Sequence, residues 1–406
     1  MTSEAFVWIW LPGETEAVLC GKLQQSAGEL QFYYGKRYLE RTNAISLDAR
    51  ELPLESGVFR PRFGEMHSVI RDASPDAWGR RVLLYRLNQR TVTELDYLTN
   101  AGFDRIGALV MTQSSDQVPL KESETASMDQ LVEAAEFVEN GQPLPDTLVT
   151  ALVHGSSVGG ARPKALLYDY HEDYPSSWIA KFSSSTDQYP VVRSELAAMW
   201  LAGHCRINVP ALRLVESLGK DVLLVERFDR IEEDNGIKRR MMISGLTALQ
   251  LHETESQLAS YLDLTGFIRR YAKNALRDNA QLFRRMLFNI LIGNNDDHAR
   301  NHAFFWDGTH YHLTPAYDIC PMLRSGMTAS QAMVIGTQGR RSTIKNALSE
   351  AGLFGLAEKE AAVIVEELVE KIETLWDDAS DYAHLTKFQS DVLRKSTILS
   401  EGVFFE

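Results

Sequence analysis

Two runs carry the side chains best suited to chemistry: Asn294-Asn295-Asp296-Asp297-His298-Ala299-Arg300-Asn301 and, after a short hairpin pattern, Thr314-Pro315-Ala316-Tyr317-Asp318. An aspartate can accept a hydroxyl proton, an asparagine five positions on offers an amide oxygen, and a later aspartate offers a carboxylate. That set fits phosphoryl transfer, with Asp296 as base and Asn301 and Asp318 as magnesium ligands. The competing reading is a polar capping loop whose Asp297 and Asn301 satisfy turn amides. Asp318 weighs against it, because a carboxylate beyond the hairpin returns to the same mouth.

His298 and His302 are four apart, a spacing that on a helix would put two metal ligands on one face. With Asp297 and Asp318 they would suit a metal-dependent phosphohydrolase. That chemistry usually needs further histidines, and no strong His-Asp doublet occurs elsewhere. His298 is read instead as a structural or substrate-orienting residue of the catalytic loop.

Three weaker signals lie upstream. His154-Gly155-Ser156-Ser157-Val158-Gly159-Gly160-Ala161-Arg162-Pro163-Lys164 has the small residues that let backbone amides approach phosphates. It is not a Walker A loop, since Gly-Lys-Ser/Thr is absent and a strand, not a helix, follows; alone it reads equally as a surface turn. Lys181 closes the apolar strand Trp178-Ile179-Ala180-Lys181-Phe182, where a lysine can pair nucleotide phosphates, and Glu195 on the next helix could position it. Leu224-Val225-Glu226-Arg227-Phe228-Asp229-Arg230 reads as a strand running into an interlobe linker whose backbone meets the adenine edge, or as an ordinary charged strand exit.

The elements that must hold these parts follow from periodicity. Phe6–Trp10, Ala17–Leu23 and Leu30–Tyr34 read as a strand meander punctuated by Pro12-Gly13 and Ala27-Gly28. Ser74 and Pro75 read as the cap and first position of a helix. Met128–Val138 and Val192–Cys205 have helical spacing, and Leu166–Tyr168, Trp178–Phe182 and Val222–Glu226 read as three strands of a sheet. From Leu246 the chain is mostly helical. Gly293 ends a buried helix, and Asp307-Gly308 suits a tight hairpin turn. The expected domains are a β-rich module over 1–115, an ATP-binding sheet over 116–245 and a helical lobe over 246–406.

At 406 residues, 44% hydrophobic and 24% charged, the chain has an ordinary globular composition with room for two or three domains. A net charge of −13 argues against direct coating of nucleic acid. Cys20, Cys205 and Cys320 are too few and too scattered for a disulfide framework. The first residues read as neither signal peptide nor membrane span, so the cytoplasm is the expected location and no membrane partner is expected.

Together these segments resemble the HipA-type serine/threonine kinases, toxin components of bacterial toxin–antitoxin modules. The resemblance rests on Ser157–Lys164, Ile179-Ala180-Lys181, Val225–Arg230, Asp296–Asn301 and Leu313–Asp318, with Phe32–Tyr34 and Pro75–Arg81 adding to it. It implies an α+β, two-lobed protein-kinase-like fold and phosphorylation of a protein serine or threonine using ATP and Mg2+. Asp296 would be the base, with Asn301 and Asp318 on the metal. Lys181, Lys164, Ser157, Val158, Gly159, Gly160, Ala161 and His298 would serve the nucleotide, and Glu226 and Phe228 its adenine side. It further implies autophosphorylation of a loop serine, Ser157 or its neighbour Ser156, that ejects the loop. A small helix-turn-helix antitoxin would be the partner, DNA would be reached only through it, and an aminoacyl-tRNA synthetase is the implied target. The alternatives are a small-molecule kinase on the same scaffold and a nucleotide-binding pseudokinase.

Overall fold

The computed structural model describes residues 3–87, 91–118, 126–142, 144–145, 148, 162–169, 176–234, 236–324 and 326–405. The chain forms two compact units, each assembled from several segments. One comprises Met1–Ser184, Val215–Ile243 and Trp306–Thr309; the other comprises Ser185–Leu214, Ser244–Phe305 and His310–Glu406.

The first unit holds two four-stranded sheets. In one, β1 (Glu4–Trp10), β2 (Ala17–Ser26), β3 (Glu29–Tyr34) and β4 (Leu109–Thr112) pair in the order β3-β2-β1-β4. The register shifts between Val7 and Trp8, which pair with Gly21 and Leu19, so Cys20 is an extra residue in β2. A Cβ on Gly21 would lie 2.2 Å from Tyr33 O and 2.7 Å from the Phe32 ring, so only glycine lets these strands approach.

The second sheet contains β5 (Lys164–Asp169), β6 (Ser176–Phe182), β7 (Leu212–Ser217) and β8 (Lys220–Glu226), ordered β5-β6-β8-β7. It thus has four strands, not the expected three. The extra β7 pairs only with β8 and exposes charged Arg213 and Glu216, as an edge strand does. Helices Ala77–Leu87 and Met128–Glu139 cover one face, where Trp78, Val82, Leu131, Val138, Ala165, Ala180, Phe182, Val222 and Leu224 form the core. The first of these helices starts two residues later than Ser74-Pro75 suggested. Asp76 Oδ1 accepts the Gly79 N–H at 2.9 Å, so Asp76 is the cap and Pro75 stays outside.

Beyond β8 the chain stays in the first unit through Ile243, so Glu226–Arg230 is not a linker. Buried charge explains why. Arg227 meets Asp104 at 2.9 Å and Asp229 at 2.9 Å, while Arg230 meets Asp104 at 2.6 Å and Asp229 at 3.0 Å. Burial alone would raise the Asp104 and Asp229 carboxyls, but the Arg227 and Arg230 guanidiniums overturn this and hold both well below the usual carboxylate range. Removing one member strands buried charge, so Asp104→Ala is expected to cost about 3–5 kcal/mol of stability. Because the folded-state values are depressed, these carboxylates stabilise fully above their unfolded value of about 4 and lose that effect as pH falls through the folded one. Thermal melts should therefore show a lower midpoint for Asp104→Ala at neutral pH and a shallower decline below about pH 4 than wild type. Equal midpoints would contradict the network's role.

The second unit is mainly helical. Val191–His204 packs on Glu358–Tyr382, and Tyr261–Tyr271 packs on Ala275–Ile292. The strands Ala303–Trp306 and Tyr311–Leu313 form a hairpin whose connection takes four residues, longer than a two-residue turn. Its tip is grouped with the first unit: Trp306 Nε1 donates to Ser46 O at 2.8 Å, and Gly308, at φ +92°, lies so close to Ile45 that a Cβ would sit 2.4 Å from its Cγ2. Among the described residues no helix is long and apolar enough to cross a membrane.

Candidate active site

Helix Ala275–Ile292 stops at Gly293, which takes the left-handed conformation (φ +70°) and brings the chain against Thr397. Asn294–Asn301 follows as a loop. Of its paired aspartates, Asp296 is exposed and Asp297 is 3% exposed. Asp297 Oδ2 accepts from Tyr261 Oη, from Asn289 Nδ2 at 2.8 Å and meets His302 Nε2 at 3.1 Å. Asn294 Nδ2 in turn donates to Asn289 Oδ1 at 3.1 Å. The buried carboxylate is thus an anchor, and its anchorage leaves the adjacent Asp296 facing solvent.

The same contacts dispose of the histidine pair. His302 is buried and spent on Asp297, so His298 and His302 do not share a face for metal. His298 is half-buried, and its Nδ1 makes no hydrogen bond among the described residues. Asn301 Nδ2 donates to Asp296 O at 3.3 Å, which turns the amide oxygen away from that contact. Asp318 is exposed and sits at φ +60°, the left-handed region that non-glycine residues enter at a cost. Loop and hairpin exit are joined by Tyr317 Oη, which donates to Arg300 O at 2.6 Å.

Sequence reasoning took helix Ala275–Ile292 for its apolar face alone. Three polar side chains share that helix and reach the functional segment: Asp278 Oδ2 accepts Leu313 N–H at 3.2 Å, Arg285 Nη2 donates to Thr314 O, and Asn289 holds Asp297. Burial pulls the Arg285 guanidinium down to about 10, with Tyr317 and Asp278 opposing it. Positions 278, 285 and 289 are separated by seven and four residues, a single helix stripe, and polar residues on an otherwise apolar stripe were the missed signal.

In the first unit, Lys164 and Lys181 are directly opposed cross-strand partners on β5 and β6. Ala165 and Ala180, the next pair, point into the helix-covered core, so both lysines lie on the other face with Leu166, Ile179 and Val225. Like charges directly opposed destabilise a sheet. Asp76 lies 4.0 Å from Lys164 Nζ, and a phosphate over the pair would meet both ammonium groups. The face therefore fits a nucleotide: apolar side chains for a base and two cations for phosphates. Glu226 is exposed at the end of β8 and Phe228 is half-buried just beyond it. Glu195 is buried on Val191–His204, a helix of the second unit. Ser156, Ser157, Val158, Gly159, Gly160 and Ala161 lie outside the described residues.

No cluster of three or more His, Cys, Asp or Glu able to hold a metal exists among the described residues. Two oxygen donors, Asn301 and Asp318, are nevertheless what Mg2+ commonly takes from a protein when substrate phosphates and waters complete its shell.

Comparison with known proteins shows the family of the chain. The HipA-like C-terminal domain matches residues 156–376, and the HipA N-terminal domain matches residues 12–112. This chain belongs to the HipA family. Protein Y4mE of Sinorhizobium fredii, whose name proposes a kinase, is 23% identical over 392 residues, 88% of this chain and 89% of that one. The Shewanella oneidensis serine/threonine-protein kinase toxin HipA is 27% identical over 186 residues, 40% of this chain and 42% of that one. A chain of the Shewanella oneidensis MR-1 complex of HipA, HipB and operator DNA superposes with a TM-score of 0.71 at 18% identity, covering 93% and 92% of the two chains. The fold is accordingly the α+β, kinase-like fold of HipA.

Proposed function

We propose that this HipA-family chain is an ATP- and magnesium-dependent serine/threonine protein kinase. The observation that carries the reading is the split between the paired aspartates: Asp297 is buried in three hydrogen bonds while Asp296 is exposed beside Asn301. A capping loop has no need to expend a buried anchor on presenting a carboxylate.

In this reading Asp296 orients the substrate hydroxyl and takes its proton as the phosphoryl group transfers. Lys164 and Lys181 hold the phosphates. Asn301 and Asp318 would hold magnesium, which when bound neutralises charge developing on the phosphoryl oxygens. His298 would face the nucleotide, as would the segment Ser157–Ala161; Glu226 and Phe228 would lie on the adenine side.

The name of the Shewanella relative supports a toxin, and the HipA–HipB–DNA complex supports a small DNA-binding antitoxin as partner, with DNA contacted through it. The acidic charge of −13 agrees with that division. A component of translation such as an aminoacyl-tRNA synthetase is the proposed target, and the cytoplasm the proposed location. The test is phosphopeptide analysis of host proteins after brief expression of wild type or Asp296→Asn. New phosphoserine or phosphothreonine sites with wild type alone are expected; identical phosphopeptides would overturn the reading.

Autophosphorylation of Ser157, or of Ser156, forms part of the same proposal. A phosphate adds about −1.5 to −2 charge and would compete with ATP for the backbone amides of the glycine-rich segment, so ATP affinity should fall. Peptide mass analysis after incubation with ATP and magnesium should find phosphate on this segment in wild type and none in Asp296→Asn. No phosphate on either serine would refute it.

A further inference from the structure

Asn301 and Asp318 are separated in sequence by the whole hairpin Ala303–Leu313, so something must fix the distance between their side chains. Segment 314–322 is pinned at several points: Thr314 N–H donates to Ala303 O at 3.1 Å, Arg285 holds Thr314 O, Ala316 N–H donates to Asn208 O at 2.7 Å, and Met322 N–H donates to Gly293 O at 3.2 Å. Those bonds end on neighbouring strands and helix ends. Tyr317 Oη reaches instead the carbonyl of Arg300, at 2.6 Å. Tyr317 immediately precedes Asp318, and Arg300 immediately precedes Asn301, so this bond joins the two residues whose neighbours are the metal-holding pair.

Other geometry sharpens the case. Asp318 occupies a left-handed backbone conformation at φ +60°, which aspartate enters more readily than most non-glycine residues. Asn301 N–H donates to His298 O at 2.9 Å and its side chain to Asp296 O at 3.3 Å. The Arg300 side chain reaches Glu253, its Nε at 3.3 Å from Oε2, so the loop is held on that side as well. Fixing Arg300 O therefore fixes Asn301 and, through its amide, Asp296.

We infer that Tyr317 is a positioning residue that sets the separation of Asn301 and Asp318 and thereby the affinity of the site for a divalent cation. The inference rests on the kinase reading above, because it takes those two residues as the metal-holding pair. Tyr317 does not touch the metal. Its hydroxyl removes the freedom of two ligands to drift apart, the effect that outer-shell partners have at metal sites generally.

The test uses the full chain and Mn2+ as the probe, followed by paramagnetic resonance of free Mn2+ in the presence of a non-hydrolysable ATP analogue. Wild type, Tyr317→Phe and Asp318→Asn are compared, and nucleotide affinity is measured separately in chelator. Tyr317→Phe keeps the ring and loses only the hydroxyl, so one hydrogen bond of ordinary strength is removed. The expected result is a roughly tenfold weaker Mn2+ affinity for Tyr317→Phe, with nucleotide affinity in chelator within about twofold of wild type. In turnover the metal requirement should rise while the rate at saturating magnesium is kept. An unchanged Mn2+ affinity for Tyr317→Phe, with Asp318→Asn still weakened, would overturn the positioning role and leave the kinase reading standing. Loss of nucleotide binding in chelator would also overturn it, since that marks a general structural role. Mn2+ affinity unaltered in Asp318→Asn as well would remove the metal-holding pair itself and the inference with it.

Discussion

An Asp296→Asn chain is expected to lose phosphoryl transfer by about two to four orders of magnitude while binding ATP as wild type does. The substitution preserves shape and leaves the Asp297 anchor with Tyr261, Asn289 and His302 untouched. It also leaves the Asp296 carbonyl in place for the Asn301 amide, so the loop should keep its conformation. What disappears is the proton acceptor. Single-turnover transfer measured beside nucleotide titration separates the two effects. Transfer within a few-fold of wild type, from a folded protein, would remove Asp296 from the chemistry.

The second large effect is expected at Asp318. Asp318→Ala should weaken nucleotide binding at least about tenfold in the presence of magnesium, about 1.4 kcal/mol, and leave binding in chelator unchanged. Lys181→Ala should behave differently, weakening nucleotide with and without metal, because its ammonium meets the phosphates and not the cation. The left-handed backbone at Asp318 complicates an alanine there, since a Cβ at positive φ is strained without a compensating ligand. Asp318→Gly removes the carboxylate without that backbone strain, so it too should lose the magnesium dependence. Calorimetric titration across magnesium concentrations decides the matter. Affinity independent of magnesium in wild type, or the same dependence in all three variants, would exclude Asp318 from the metal shell.

Local signals were enough to anticipate where the functional loop begins. Gly293 ends its helix in the left-handed conformation that glycine enters readily, and the hairpin after the loop follows from the apolar run Ala303–Trp306 set before Asp307-Gly308. The division of labour between Asp296 and Asp297 has no local cause. It depends on Tyr261 and Asn289, whose side chains converge on Asp297 from two different helices, and sequence spacing does not report such convergence. Arg227, Asp229 and Arg230 misled for the same reason. Read locally they are a charged strand exit, whereas Asp104, more than a hundred residues upstream, completes a buried network around them. Strand β7 escaped because charged Arg213 and Glu216 break up its short apolar signal. The helix at Ala77 was displaced by a choice among Ser74, Pro75 and Asp76 that only the Gly79 amide settles.

The opposed lysines show the converse. Lys164 and Lys181 were separate weak signals in the sequence, and the antiparallel register makes them direct cross-strand neighbours. Tyr317 and the polar stripe of Asp278, Arg285 and Asn289 carried no motif at all; their importance comes from what they hold.

The most direct measurement is transfer of labelled γ-phosphate from ATP by the purified chain to proteins of a host extract, run with magnesium, with chelator, and with Asp296→Asn in place of wild type. The kinase account predicts labelled protein, acid-stable as phosphoserine or phosphothreonine, in the first reaction alone. Label released only as free phosphate, label passed to small molecules alone, or equal protein labelling by Asp296→Asn would contradict it.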